Sequence, residues 1–417
     1  MRFLSGSGGT KGTIKGLPED FIVKEITANG TTLEPGAQYT PEHLGEKAEP
    51  EARFTRFVLQ KRDWDTVRAL MELSKRFGHG KKSFGYSGTK DRASVSVQMA
   101  SIFGVEPEQL MSVRMKDISI NGAWKGGEVE LGSNLGNAFG ITVKGAERPE
   151  NADTTIAELD GRFPNYFDRQ RFGYRLNNFR IGMLILKDRV EEAVLAFLTD
   201  TSNEDNEQAI EARKRLAEER DFKAAMGYFP RHLRYERMVI EYMSRYDNYA
   251  NAFRKLPRGI AMLFIHAVES GVFNACLEKR LEKEDLQTGV YAATNFYGFP
   301  DVEQLNSEKG IAAAPLVGYE TDPRHIGEYE SEVMEKVGIT AGDFKIKWMP
   351  ELSMRGSYRV LLAPVRDLSC NVDGADLALK FGIPSGSYAT VLLNEITKSE
   401  DLDIGAMINS AIRLQDA

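Results

Sequence analysis

The chain holds 417 residues, with 54 Lys and Arg against 61 Asp and Glu, a net charge of −7 and 42% hydrophobic residues. The length exceeds a single core of usual size and points to two domains; the composition excludes wholesale disorder, and no uninterrupted apolar run approaches a membrane span. The acidic total excludes a uniformly basic nucleic-acid binder but leaves room for local patches: Lys75, Arg76, Lys81, Lys82, Lys90 and Arg92 crowd one segment, and Arg162, Arg169, Arg171, Arg175 and Arg180 another.

Residues 1–13 are short of apolar side chains and rich in Gly, Ser and Thr, a flexible lead-in that does not read as a signal peptide. The run Gly6-Ser7-Gly8-Gly9-Thr10-Lys11 lacks both the spacing and the preceding strand of a phosphate-binding loop. A turn at Gly16-Leu17-Pro18 introduces a strand over 20–26, and the polar, Pro/Gly-punctuated 32–50 reads as a loop. A strand over 54–60 precedes a helix capped by Asp63, running to Phe77 and ended by Gly78. Val95, Val97 and Met99 alternate as a strand; 118–120, 127–131 and 139–143 follow as further strands. This mixture, without regular βαβ repetition, predicts an α+β domain with a mainly antiparallel sheet. From 188 to 283 the pattern is helical. Residues 204–220 form a charge-rich helix with Glu211–Arg215 and Lys214–Glu218 pairs on a solvated face, and 260–281 is apolar nearly all round, a buried core helix. Pro300, Pro315 and Pro323 mark a looser region. Residues 354–362 return to strand-like alternation, and 375–396 read as helix, turn and a final strand or helix. The domains expected are 1–175, an inserted and mostly helical 176–352, and a return segment 353–417 that completes the first.

Chemistry concentrates in the stretch from Phe84 to Gln98. A loop of small residues, Ser87-Gly88-Thr89, delivers the carboxylate of Asp91 between two cations, Lys90 and Arg92. Flanking positive charge favours the ionised acid, which suits a nucleophile or a stabiliser of a sugar cation better than a general acid. A surface turn with local ion pairs is the other reading of the same residues. Further segments set aromatics beside cations and amides, as unstacked bases require: 12–21 with Lys15 and Phe21, 135–139 with Asn137 and Phe139, 164–173 with Gln170 and Arg171, and 384–390 with Tyr388. Cys276 and Cys370 lie far apart and the five histidines lack zinc-ligand spacing, so neither disulfides nor a metal site are expected, and the location expected is cytoplasmic.

Three ordered runs, Gly88-Thr89-Lys90-Asp91-Arg92, 165–173 beginning Asn165-Tyr166-Phe167, and Gly386-Ser387-Tyr388-Ala389-Thr390, together resemble the TruD family of tRNA pseudouridine synthases. The resemblance spreads over about 12–395, thinly in the middle through Ser270, Phe273 and Asn274, and 165–173 carries Asp168 where the family more usually has glycine. It implies a pseudouridine-synthase catalytic domain with a mixed sheet and an inserted helical domain, with the cleft between them. The implied reaction breaks the N-glycosidic bond of a uridine, at position 13 of tRNA in the family's best-known case, turns the uracil and rejoins it through C5. Such an isomerisation needs no cofactor and no metal. By resemblance Asp91 is the catalytic aspartate, Lys15 its supporting ionic partner, and Tyr388 the aromatic that stacks on the flipped base. Phe139 and Phe21 wall the pocket, and Asn137, Lys90 and Arg171 join them in binding substrate. The partner implied is tRNA; neither a membrane nor a protein partner is expected.

Two other classes compete. A non-catalytic RNA-binding protein would bind equally well with Asp91→Asn and yield no product. A nucleoside or glycoside hydrolase needs a second carboxylate at set separation, and the motif segments offer no convincing one.

Overall fold

The computed structural model describes residues 1–399 apart from 15, 81, 82 and 307, together with 403–412. Lys15, Lys81 and Lys82, singled out above, lie outside the described residues. The chain opens with β1 (Thr13–Ile14), β2 (Phe21–Ile26), β3 (Phe54–Arg62) and α1 (Thr66–Arg76). Then follow β4 (Phe84–Tyr86), β5 (Val95–Phe103), the short α2 (Pro107–Met111), β6 (Ile118–Gly126) and β7 (Gly136–Lys144). After α3 (Asn151–Leu159) and β8 (Arg162–Pro164) the chain is helical: α4 (Asn178–Leu186), α5 (Val190–Thr199), α6 (Glu207–Glu219), α7 (Phe222–Tyr228), α8 (Arg234–Met243), α9 (Tyr249–Phe253) and α10 (Arg258–Glu282). It ends through β9 (Val290–Thr294), β10 (Pro300–Asn306), β11 (Ile311–Leu316), α11 (Glu328–Val337), β12 (Ser357–Val360), β13 (Leu362–Pro364), β14 (Arg366–Asp373), β15 (Asp376–Pro384), α12 (Ala389–Thr397) and α13 (Ile404–Ile412).

The principal sheet has nine strands in the order β14-β15-β7-β2-β5-β3-β6, with β1 added to β7 and β4 to β5. Within it β2 and β5 run parallel, and the other pairings are antiparallel. The mixed, mainly antiparallel α+β fold is therefore as the sequence led us to expect. Period-two alternation assigns its faces. On β3, Phe57 and Leu59 pack with Leu70 and Leu73 of α1, while Val58 between them packs on the opposite face with Val97, Trp124, Leu33 and Leu44. The main core joins Phe21, Val23, Phe139 and Ile141 to Leu377, Leu379 and Phe381, and continues into the helical half. There α10 is long and apolar enough to cross a membrane by length and composition, yet 78% of its apolar window is buried within the fold. A Cβ on Gly182 of α4 would lie 2.1 Å from the Phe264 carbonyl of α10, so glycine is what lets these two helices touch.

Several local expectations need correction. The α1 cap is Asp65, whose carboxylate accepts from the Arg68 N–H at 2.9 Å; Asp63 sits two residues earlier at φ 52°. Residues 127–131 are not a strand. They cross β4 where Gly85 leaves room, since a Cβ there would meet the Val129 carbonyl at 2.4 Å. The strand β15 opens at Asp376 where helix was expected from 375: Leu377, Leu379, Phe381 and Ile383 alternate and are all buried, and Gly374-Ala375, with Gly374 at φ 60°, turns the hairpin from β14. The looser region near Pro300 and Pro315 carries a four-stranded sheet, order β10-β9-β11-β12, in which Pro315 lies beyond the reach of β9. Its last strand, β12, follows the boundary expected at 353. On α6, Arg215 pairs with Glu219, and Arg213 is buried, bonding the Leu198 carbonyl at 2.8 Å and Glu236 at 2.7 Å, so that face is not wholly solvated.

Candidate active site

The Gly88–Arg92 loop lies between β4 and β5, above the parallel β2–β5 pair. Its backbone is held from below. Gln98 donates to the Gly88 carbonyl at 2.9 Å and accepts from the Thr66 hydroxyl at 3.0 Å, and that hydroxyl accepts from the Lys90 N–H at 3.0 Å. The Lys61 ammonium on β3 donates to the Asp91 carbonyl at 2.9 Å, and the Ser94 hydroxyl donates to the same carbonyl at 2.7 Å. Lys61 is fully buried, and burial pushes its pKa down to about 8, against the pull of the Asp65 and Asp91 carboxylates.

The two cations flanking Asp91 go separate ways. Lys90 turns inward and pairs with the buried Glu25 at 2.9 Å, a carboxylate that also accepts from the Met99 N–H at 3.1 Å and from the Ser87 hydroxyl. Lys90, expected among the substrate-binding residues, lines the cavity while its ammonium is paired with Glu25 beneath the loop. Arg92 is exposed and pairs with Asp63 at 3.5 Å. Lys15, expected beside Asp91, lies outside the described residues.

Asp91 is half-buried on the wall of a cavity of about 530 Å³ that Phe21, Asn137, Phe139, Arg171 and Tyr388 also line. The structure thus brings together all the expected site residues it describes. Phe139 of β7 stacks on Phe381 at 5.2 Å between ring centroids and presents its edge towards Phe21 at 6.1 Å. Asn137 lines the cavity, and its Oδ1 is buried with no hydrogen-bond partner among the described residues. A second carboxylate on this wall, Asp65, is engaged in capping α1.

Tyr388 stands at the start of α12, on a turn that Gly386 makes possible at φ 81°. Arg171 donates to its hydroxyl at 3.3 Å, and the Phe167 ring meets it edge-on at 6.1 Å. Beneath lies Arg359 on β12, a buried cation that bonds the Gly386 carbonyl at 2.9 Å, the Asn165 carbonyl at 2.8 Å and the Asn165 side chain at 2.7 Å, with its guanidinium 4.0 Å from the Phe167 ring centre. Burial lowers the Arg359 pKa, and this shell of acceptors and ring faces suits the charged form. Asn274 of α10 clamps Phe167 through both its N–H and its carbonyl, each at 2.8 Å. Asp168 caps the short turn 169–172 and accepts from the Thr390 hydroxyl at 2.7 Å, which ties that turn to α12. Gln170 is exposed on the cavity rim.

Sequence reasoning missed Lys61, Glu25 and Arg359. A signal for the first two was present: Lys61 follows Phe57 and Leu59 at even spacing, and Glu25 follows Phe21 and Val23. Each puts a charge at a position the strand periodicity assigns to the core. Arg359 had no such mark, because its partner Asn165 lies 194 residues away in sequence.

The family model for tRNA pseudouridine synthase D (TruD) matches residues 1–396. A Methanopyrus kandleri protein named "Probable tRNA pseudouridine synthase D" is 36% identical over 360 residues, covering 83% of this chain and 86% of its own length. A Pyrococcus abyssi protein of the same name is 31% identical, over 95% of this chain and 99% of its own. Among solved structures, the Methanosarcina mazei protein described as TruD superposes with a TM-score of 0.74 at 27% identity, covering 96% of each chain.

Proposed function

The chain belongs to the TruD family of tRNA pseudouridine synthases, and on that premise we propose that it isomerises the uridine at position 13 of tRNA, with Asp91 as the group that acts on the ribose. One observation carries the role of Asp91: its carboxylate shares a cavity of about 530 Å³ with Phe21, Phe139 and Tyr388, room enough for one flipped nucleotide. In the reaction the N1–C1′ bond breaks, the uracil turns, and C5 bonds C1′. The proton on C5 leaves and N1 gains one, so atoms and electrons balance. Asp91, as nucleophile at C1′ or base at C2′, works against a base held between the Tyr388 and Phe139 side of the pocket. Asn137 lines the wall beside the turning uracil. Arg171 holds the Tyr388 hydroxyl, and Lys90 acts indirectly, by fixing the loop to Glu25. Lys15, as the family's basic partner of the aspartate, belongs to the same proposal.

The test is release of tritium from tRNA carrying tritium at uridine C5, with the product mapped to its position. Wild type should release one tritium per target uridine at position 13, and Asp91→Asn should lower the rate by on the order of 10³ or more. Product at another position overturns the assignment of uridine 13, and an active Asp91→Asn overturns the role of Asp91.

A further inference from the structure

A second cavity, about 940 Å³, opens beside the first and shares Gln170 and Thr390 with it. Its walls come from distant parts of the chain: β1, the turn after Asp168, the α5–α6 loop at Asn203 and Asp205, and one side of α12. At its rim stands Tyr174, 67% exposed and open to the cavity mouth. Gly173, at φ 79°, makes the turn that brings Tyr174 out.

The charges say which part of a nucleotide fits. Among the described residues Asp168 and Asp205 line the cavity beside one cation, Arg169, a balance that disfavours a phosphate. Asp205 accepts from the Tyr174 hydroxyl through Oδ2, and its Oδ1 makes no hydrogen bond among the described residues. A carboxylate oxygen beside an exposed ring suits a base that stacks and donates from an exocyclic amine. Flipping one nucleotide also unstacks its neighbour, which then needs a new face to stack on.

We propose that this cavity is a subsite for a second nucleobase of the RNA, close in sequence to the target uridine, one that carries an exocyclic amine (adenine, cytosine or guanine), stacks on Tyr174 and is read by Asp205. The proposal rests on the reading of the first cavity as the uridine site, and it gives the helical insertion a part in substrate choice, since Tyr174 leads into it and Asp205 lies within it.

The test is a cycle between protein and RNA. Tyr174→Ala and Asp205→Asn are assayed against intact tRNA transcripts and against transcripts made abasic at each of the two nucleotides on either side of the target. Both tritium release and equilibrium binding are read. Tyr174→Ala should cost about tenfold on intact tRNA and nothing further on the transcript abasic at the position read. Asp205→Asn should narrow the wild-type preference for an amine-bearing base over uracil at that same position. Equal loss from Tyr174→Ala on every transcript, or no loss at all, overturns the subsite. Because binding needs no turnover, coupling in binding without tritium release would sustain the subsite while removing the catalytic reading. Turnover without coupling would do the reverse.

Discussion

At the scale of single residues, Lys61 is the most consequential group that sequence reasoning overlooked. Fully buried, it grips the main chain of Asp91 itself, so it positions the proposed catalytic carboxylate without touching substrate. Its pKa, pushed down by burial to about 8 from an ordinary 10.5, sets opposite trends for activity and stability. Below pH 8 the ammonium is charged in both folded and unfolded chains. Between pH 8 and 10.5 the unfolded chain binds more protons, so this group's contribution to folding stability rises with pH, by about 3 kcal/mol across the window. Activity runs the other way: as the folded ammonium neutralises above pH 8, its charge-assisted bonds to the loop weaken and kcat falls. Lys61→Met should lower kcat at pH 7 and abolish both the alkaline step in kcat and the alkaline gain in stability. Parallel kcat profiles for wild type and Lys61→Met between pH 7 and 9.5 would refute the positioning role.

At the scale of elements, the site depends on a helix that never reaches it. α10 lies in the core, and its Asn274 side chain satisfies both main-chain groups of Phe167, the ring that touches Tyr388 and lies against Arg359. Asn274→Ala strands a buried N–H and a buried carbonyl, at a cost of about 2–4 kcal/mol read by chemical denaturation. It should also reduce kcat more than it weakens tRNA binding, because the Tyr388 platform shifts while the outer surface stays. An unchanged kcat in a folded Asn274→Ala would detach α10 from the site. The same contact marks what was legible beforehand. Local pattern reads β2, β3, β5 and α10 because their apolar periodicities are their own. Asp91, Asn137, Phe139 and Tyr388 are legible as ordered motifs. The β14–β15 hairpin is harder to read, because its strand alternation, Leu377, Leu379, Phe381 and Ile383, runs close before the helix α12 and the segment invites a helical reading as a whole. Arg359, Asn165 and Asn274 were opaque as partners, because each acts across more than a hundred residues of sequence.

At the scale of the whole molecule, the question is how an acidic chain holds a polyanion. Most of the described members of the two basic clusters that the sequence suggested as a phosphate grip make ion pairs within the fold. Lys75 pairs with Glu72, Lys90 with Glu25, Arg92 with Asp63, Arg162 with Asp160 and Arg180 with Asp200. Arg175 is buried and bonds the carbonyls of Phe197 and Asp200. Among the described members of those clusters, Arg76, Arg169 and Arg171 make no ion pair, and Arg169 and Arg171 sit at the turn between the two cavities. A net charge of −7 adds repulsion that salt screens. Affinity should therefore come more from stacking and hydrogen bonding in the cavities than from counterion release. With about three to five phosphates neutralised, the slope of log Kobs against log salt should be about −2 to −4. Titration of tRNA binding at stepped salt concentrations measures it directly. Arg169→Gln should flatten the slope by about one contact's worth and weaken binding evenly across tRNA sequences, whereas Tyr174→Ala should leave the slope unchanged and weaken binding only where a base fills the subsite. A wild-type slope of −6 or steeper would locate the RNA grip on cations outside these clusters and remove Arg169 from its centre.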